Sequence, residues 1–167
     1  VGGEAGLSYQ WTVRRKGPVI TLVNNQPIHA WSVIATLPGR DVQFIWPDND
    51  NYLVTLTVTD RFGDSDSRSA DVLVSNLPPV ITSVSVPTTG VEGVQMVLSA
   101  SANDPGLNDS LNYRWTITAP DSNVIVRAGA NATFTPSDNG IYSVQLTVFD
   151  KDGGSTTQAA GTISVAN

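Results

Sequence analysis

Carboxylates carry whatever chemistry this chain offers. Three short stretches concentrate them: Asp48-Asn49-Asp50-Asn51, the loop from Asn103 to Asp109 with Asp104 and Asp109, and Asp150-Lys151-Asp152-Gly153. Carboxylates, Asn side chains and loop carbonyls are hard oxygen donors. Calcium takes about 6–8 such oxygens at roughly 2.3–2.6 Å. Asp48, Asp50, Asp104, Asp109, Asp150 and Asp152 are therefore the candidate ligands of a calcium ion. No EF-hand spacing is present. The competing reading is turn capping on a solvated surface, because Asp and Asn side chains bond nearby backbone N–H groups.

Other chemistries are poorly supplied. His29 is the single histidine, so a metal site built on several histidines is excluded, and a Ser-His-Asp triad would have to use His29. No Gly-x-Ser-x-Gly occurs, and no phosphate-cradling loop. With no cysteine there is no disulfide framework, zinc-thiolate site or thiol nucleophile. An enzyme is not expected.

The elements that hold these residues are strands. Across 167 residues, 40% are hydrophobic, enough for a core rather than disorder. Val, Thr and Ile are abundant, and 14 Gly and 10 Pro supply many turns, which favours an all-β protein. The formal charge is -6 and the pI about 4.4. That argues against nucleic acid, whose phosphates need basic patches, and against anionic lipid. No apolar run approaches the roughly 18 residues of a membrane span. No signal peptide is visible, and residue 1 reads as the start of an excised fragment of a longer chain.

One pattern occurs twice. Tyr52-Leu53-Val54-Thr55-Leu56-Thr57-Val58-Thr59-Asp60 matches Tyr142-Ser143-Val144-Gln145-Leu146-Thr147-Val148-Phe149-Asp150, and each is followed by a Gly turn. The alternation of apolar and polar residues predicts half-buried strands. Tyr9-x-Trp11 likewise matches Tyr113-x-Trp115. Trp11 lies 41 positions before Tyr52, whereas Trp115 lies 27 before Tyr142. The first unit thus carries about 14 extra residues, somewhere in 17–40, and it lacks a counterpart of residues 80–110. Residues 1–7 read as a flexible Gly-rich lead-in. Further strands are expected at 8–14, 19–23, 28–37, 42–46 and 69–74, with turns at Lys16-Gly17-Pro18 and Asn24–Pro27. In the second unit strands are expected at 81–86, 94–100, 111–118, 124–127, 133–134 and 162–165. Asn76-Leu77-Pro78-Pro79 is the linker, because two prolines stiffen the chain toward an extended form.

Tyr-x-Trp on one strand, Asp138-x-Gly140-x-Tyr142 before another, then Val144-x-Leu146-Thr147-Val148-x-Asp150-x-x-Gly153, resembles the polycystic-kidney-disease (PKD) domain family. The resemblance implies tandem immunoglobulin-like β-sandwiches: residues 1–77 as a sandwich lacking its first strands and carrying an insertion, and residues 78–167 as a complete one. The family's Trp-Asp-Phe-Gly is Trp115-Thr-Ile-Thr here and Trp11-Thr-Val-Arg in the first unit, so any role of that Asp is absent. Such domains are implied to be extracellular spacers, adhesion modules or accessory modules of secreted enzymes, and some bind calcium.

This plan sharpens the expectations. Trp11 and Trp115 should be central to each sandwich, and Tyr52 and Tyr142 should form tyrosine corners. Trp31 and Trp46 should fill the side of the first unit where strands are missing; an exposed pair would instead suit a sugar ligand. Asp104, Asp109, Asp150 and Asp152 should share one pole of the second unit. That pole is expected to face the turn of Asp48 and Asp50, with calcium stiffening the junction. The functional expectation is a non-catalytic structural or adhesive module of a larger exported or cell-surface protein. The alternative is an accessory module for a carbohydrate or protein ligand. Open sheet edges in the first unit predict self-association.

Overall fold

The computed structural model describes residues 6–167; most of the expected lead-in, residues 1–5, lies outside them. The described residues form strands and turns and no helix. They fall into two compact units, Val1–Ser75 and Asn76–Asn167.

The second unit is a two-sheet sandwich. One sheet orders β10 (Asn131–Phe134), β7 (Met96–Asn103) and β5 (Val80–Ser85). The other orders β6 (Thr89–Val91), β12 (Ser155–Ala166), β11 (Gly140–Phe149), β8 (Asn112–Thr118) and β9 (Val124–Ala128). Alternation along each strand sends one parity inward. Trp115, Ile117, Leu146, Val148 and Ile163 therefore meet Leu98, Ala132 and Phe134 across a buried core. Trp115 is 0% exposed and donates its indole N–H to the Gly129 carbonyl at 3.0 Å, so burial leaves no polar atom unpaired. Tyr142 donates its hydroxyl to the Asp138 carbonyl at 3.0 Å, forming the expected tyrosine corner. The three-residue β6, parallel to β12, is too short for a periodic signal and was not anticipated.

The first unit is one antiparallel sheet among the described residues. Its order is β2 (Gln26–Pro38), β1 (Ser8–Val23), β3 (Asp50–Thr59) and β4 (Ser65–Val74). It repeats the registry of β9-β8-β11-β12. Trp11 pairs with Leu56 as Trp115 pairs with Leu146, and Tyr9 pairs with Val58 as Tyr113 pairs with Val148. Trp11 donates to the Gly39 carbonyl at 3.1 Å, and Tyr52 donates to the Asp48 carbonyl at 2.7 Å. The sandwich expected for residues 1–77 is therefore reduced, among the described residues, to the sheet that bears Trp11 and Tyr52. Among the described residues no second sheet faces it, and Trp11 is only half-buried.

The extra residues do not refill a second sheet. They lengthen the β1–β2 hairpin. The expected turn at Lys16-Gly17-Pro18 is instead continuous strand, with a registry shift between Lys16 and Val19. The reversal comes at Asn24-Asn25, both at positive φ (49° and 60°), which matches a two-residue primed hairpin turn. The segment 42–46, expected as a strand, pairs with no neighbour. Its aromatic residues pack instead: Phe44 lies edge-on to Trp46 at 5.0 Å, and Trp46 against Tyr52 at 4.8 Å. Trp46 thus fills the side where strands are missing. Trp31 does not, being 38% exposed on β2.

Candidate functional site

The six candidate carboxylates divide between the units. In the first unit Asp48 and Asp50 sit on the turn into β3. Asp50 Oδ2 accepts from Arg15 Nε at 2.7 Å, and its Oδ1 accepts from the Asn51 amide at 2.7 Å. Asp48 Oδ1 accepts from the Asn49 amide at 3.0 Å, and its Oδ2 lies 3.5 Å from Arg15 Nη2. Burial pushes the Asp50 carboxyl up, but the Arg15 and Asn51 hydrogen bonds and nearby positive charge outweigh it and hold the group below its usual range. The Arg15 guanidinium is raised in turn, chiefly by its bond to Asp50. Burial pushes the Tyr52 hydroxyl up. Arg15 is thus the counter-ion of this turn, a role its place in a strand-like stretch did not advertise.

In the second unit the loop after β7 and the loop after β11 carry the other four. Asp150 is a turn cap. Its Oδ1 accepts from the amides of Asp152 and Gly154, each at 2.8 Å, and its Oδ2 accepts from Asn76 Nδ2 at 2.8 Å. Asp60 repeats the first part of this arrangement, its Oδ1 accepting from the amides of Phe62 and Asp64 at 2.8 and 3.0 Å. Burial raises the Asp150 carboxyl, but the hydrogen bonds from Asn76 and the loop amides outweigh it and hold the group below its ordinary value.

Asp104 and Asp109 are different. Asp104 Oδ1 accepts from the Gly106 amide at 2.8 Å, and the Asp109 amide donates to the Gly106 carbonyl at 3.0 Å, so the loop folds both carboxylates onto Gly106. A Cβ at Gly106 would lie 2.3 Å from Asp109 Oδ2 and 3.2 Å from Asp104 Oδ1. Only glycine lets the two carboxylates close over the loop in this way. The Asp109 side chain is 0% exposed. Asp104 Oδ2 and Asp109 Oδ2 are buried and accept no hydrogen bond. Buried carboxylate oxygens without a donor are costly, and each calls for an explanation.

Lys151 supplies the local positive charge. Its Nζ contacts Asp109 Oδ1 and lies 3.0 Å from Asp152 Oδ2. The structure therefore brings Asp109, Asp152 and Lys151 together, and Asp104 with Asp109 through Gly106, while Asp150 is spent on its own loop and on Asn76. The sequence hinted at Lys151 only by setting it between two aspartates.

The sequence profile of the PKD domain matches residues 76–165. The chain belongs to the PKD domain family. No curated protein matches the sequence. Among solved structures, the fibronectin(III)-like modules of Clostridium thermocellum CbhA align with 99% of this PKD chain and 80% of their own, at 12% identity and a TM-score of 0.41. An amphioxus IgVJ-C2 molecule aligns with 96% of this chain and 89% of its own, at 17% identity and a TM-score of 0.38. Bacteroides ovatus SGBP-B, in complex with mixed-linkage heptasaccharide, aligns with 97% of this chain but 38% of its own, at 15% identity and a TM-score of 0.24. No helix of the described PKD residues is long and apolar enough to cross a membrane.

Proposed function

We propose that this PKD-family chain is a non-catalytic spacer or adhesive segment of a larger exported or cell-surface protein, and that calcium stiffens its second unit. The observation that carries the calcium reading is the pair of buried, donorless oxygens, Asp104 Oδ2 and Asp109 Oδ2. A hard cation beside them would supply the missing partner, with loop carbonyls as further oxygen donors. Asp150 and Asn76 then act beside the ion, fixing the loop that presents Asp152. The first unit is read as a partial copy of the same plan, on the strength of its matched Trp and Tyr hydrogen bonds.

Calorimetric melting of the chain with calcium chloride and with chelator tests the reading. A ligand at about 100 times its Kd adds roughly 2.7 kcal/mol to the state that binds it. For a unit of this size that raises the midpoint by about 10 °C or more. An unchanged midpoint overturns the calcium part, and Asp109→Asn should abolish the rise.

A second reading, an accessory module for a carbohydrate ligand, is favoured by one feature. Trp11, Phe44 and Trp46 line a mostly apolar hollow of about 280 Å³ in the first unit, with Arg40 and Asp41 at hand. Aromatic faces beside polar side chains suit sugar rings. Chemical-shift changes of the Trp11 and Trp46 indoles on titration with soluble glucans would support it, and unmoved indoles would count against it.

A further inference from the structure

We propose that Lys151 is a built-in competitor for the cation, a tethered ammonium that holds the site's calcium affinity down; this rests on the calcium reading above. Three observations carry it. Lys151 Nζ contacts Asp109 Oδ1, one oxygen of the carboxylate whose other oxygen is buried and unpaired. The same ammonium lies 3.0 Å from Asp152 Oδ2, so it bridges two of the candidate ligands. Its side chain is 35% exposed, whereas Asp109 is wholly covered, so the lysine has an outward path that the carboxylate lacks.

The physical consequence follows from charge. Asp109 and Asp152 bring like charges to one ammonium, which relieves part of their repulsion. It is a monovalent substitute, however, and it leaves Asp104 Oδ2 and Asp109 Oδ2 without donors. A divalent ion satisfies those oxygens, but it must displace the ammonium from Asp109 and Asp152 or bind against its repulsion. Affinity is therefore lower than the ligand set alone would give. Ligand charge is a main control of calcium affinity, and extracellular modules bind at about 10⁻⁴–10⁻³ M. The lysine sets the second unit to respond in that range and keeps part of the loop's charge offset when calcium is scarce.

Calorimetric titration of the whole chain with calcium chloride, for the natural protein, Lys151→Gln and Lys151→Arg, decides the matter. Removing the competing charge should tighten calcium binding about tenfold or more in Lys151→Gln. Without calcium, the same variant should melt lower than the natural protein. Lys151→Arg keeps the charge and should bind close to the natural value. Binding by the natural protein with equal or weaker binding by Lys151→Gln overturns the competitor role and leaves the calcium reading standing. Binding by Lys151→Gln alone supports the competitor role, while showing that the natural chain does not take calcium. No binding by any of the three overturns both.

Discussion

Arg15 Nε donates to Asp50 Oδ2 at 2.7 Å, and the second unit dispenses with both partners. Four residues after its Trp the second unit has Ala119, and two residues before its Tyr it has Gly140. Gly140 sits at φ +130°, and a Cβ there would lie 2.6 Å from Pro120 Cγ. One corner of the shared plan is thus closed by an ion pair in one unit and by small residues in the other. Arg15→Ala removes the guanidinium that lies 3.5 Å from Asp48, which is 3% exposed. Because the Arg15 side chain is itself 37% exposed, the expected loss is modest, about 1–2 kcal/mol. Urea denaturation of Arg15→Ala, Asp50→Gly and the double variant should show a coupling of about 0.5–1 kcal/mol. Strictly additive losses would remove the pair from the account.

The tyrosine corners should weigh differently in the two units. Tyr142 is buried between two sheets and Tyr52 beneath the Trp46 strap, yet each hydroxyl donates to the carbonyl four residues earlier. Tyr142→Phe strands the Asp138 carbonyl and should cost about 1–2 kcal/mol. Trp115→Ala removes a fully buried ring and should cost about 3–5 kcal/mol, whereas Trp11→Ala, half-buried, should cost less. Equal melting losses for the two tryptophans would contradict the one-sheet architecture of the first unit.

Acid should loosen the Asn76–Asp150 clasp. The Asp150 carboxyl is held below its ordinary value of 3.8 in the folded chain. A carboxyl depressed on folding contributes stability that is full above its unfolded value and is lost as pH falls through the folded one. The second unit should therefore melt at falling temperature as pH drops below about 4. Asp150→Asn should lower the midpoint at neutral pH and flatten that acid slope. An Asp150→Asn variant with the parent's full slope would assign the acid response to other carboxylates.

Much of the fold was legible because alternation is a strong signal where both sheets exist. β8 and β11, with Trp115 and Leu146 inward, follow the pattern residue by residue. It failed where pairing partners, and not local sequence, decide the outcome. Residues 42–46 alternate like a strand, but they pair with no neighbour and pack Phe44 and Trp46 together instead. Gly17-Pro18 reads as a turn, yet β2 carries the hairpin past it through a registry shift. At the loops, residue type alone does not separate a cap from a ligand. Asp150 has donors for both its oxygens, while Asp104 and Asp109 each keep one oxygen without a donor, and only packing distinguishes them. Arg15 and Lys151 went unnoticed because a cation's role is fixed by which carboxylate it reaches across the sheet or loop.

Gly154 should be among the least replaceable residues of the second unit. A Cβ there would lie 2.2 Å from Asp150 Oδ2, 2.9 Å from Asn76 Nδ2 and 3.1 Å from Pro78 Cα. The Pro78 backbone cannot swing aside as a flexible side-chain tip would, so relief must come by opening the Asn76–Asp150 bond. Gly154→Ala should cost about 1–3 kcal/mol. Its effect should overlap that of Asn76→Ala, since both release the same clasp. Fully additive losses in the double variant would show the crowding to be relieved elsewhere.

The extended hairpin gives the last test. β3 stops pairing with β1 at Arg15, so among the described residues the β1–β2 ribbon from Lys16 to Trp31 has two strands and no third neighbour. A two-stranded ribbon is marginal in water. This one also exposes Val19, Ile20, Leu22, Val23 and Ile28. The backbone edge of β2 is partly blunted, because Ile34 is an extra residue between the Val13–Ala35 and Arg14–Val33 pairs and forms a bulge. Self-association is therefore predicted through the apolar side chains of the ribbon more than through the edge itself. Light scattering should show mass rising with concentration for the natural chain. Ile20→Lys with Leu22→Lys should return it to monomer without moving the melt of the second unit, which shares no strand with the ribbon. A natural chain that stays monomeric at every concentration would rule out self-association through this arm.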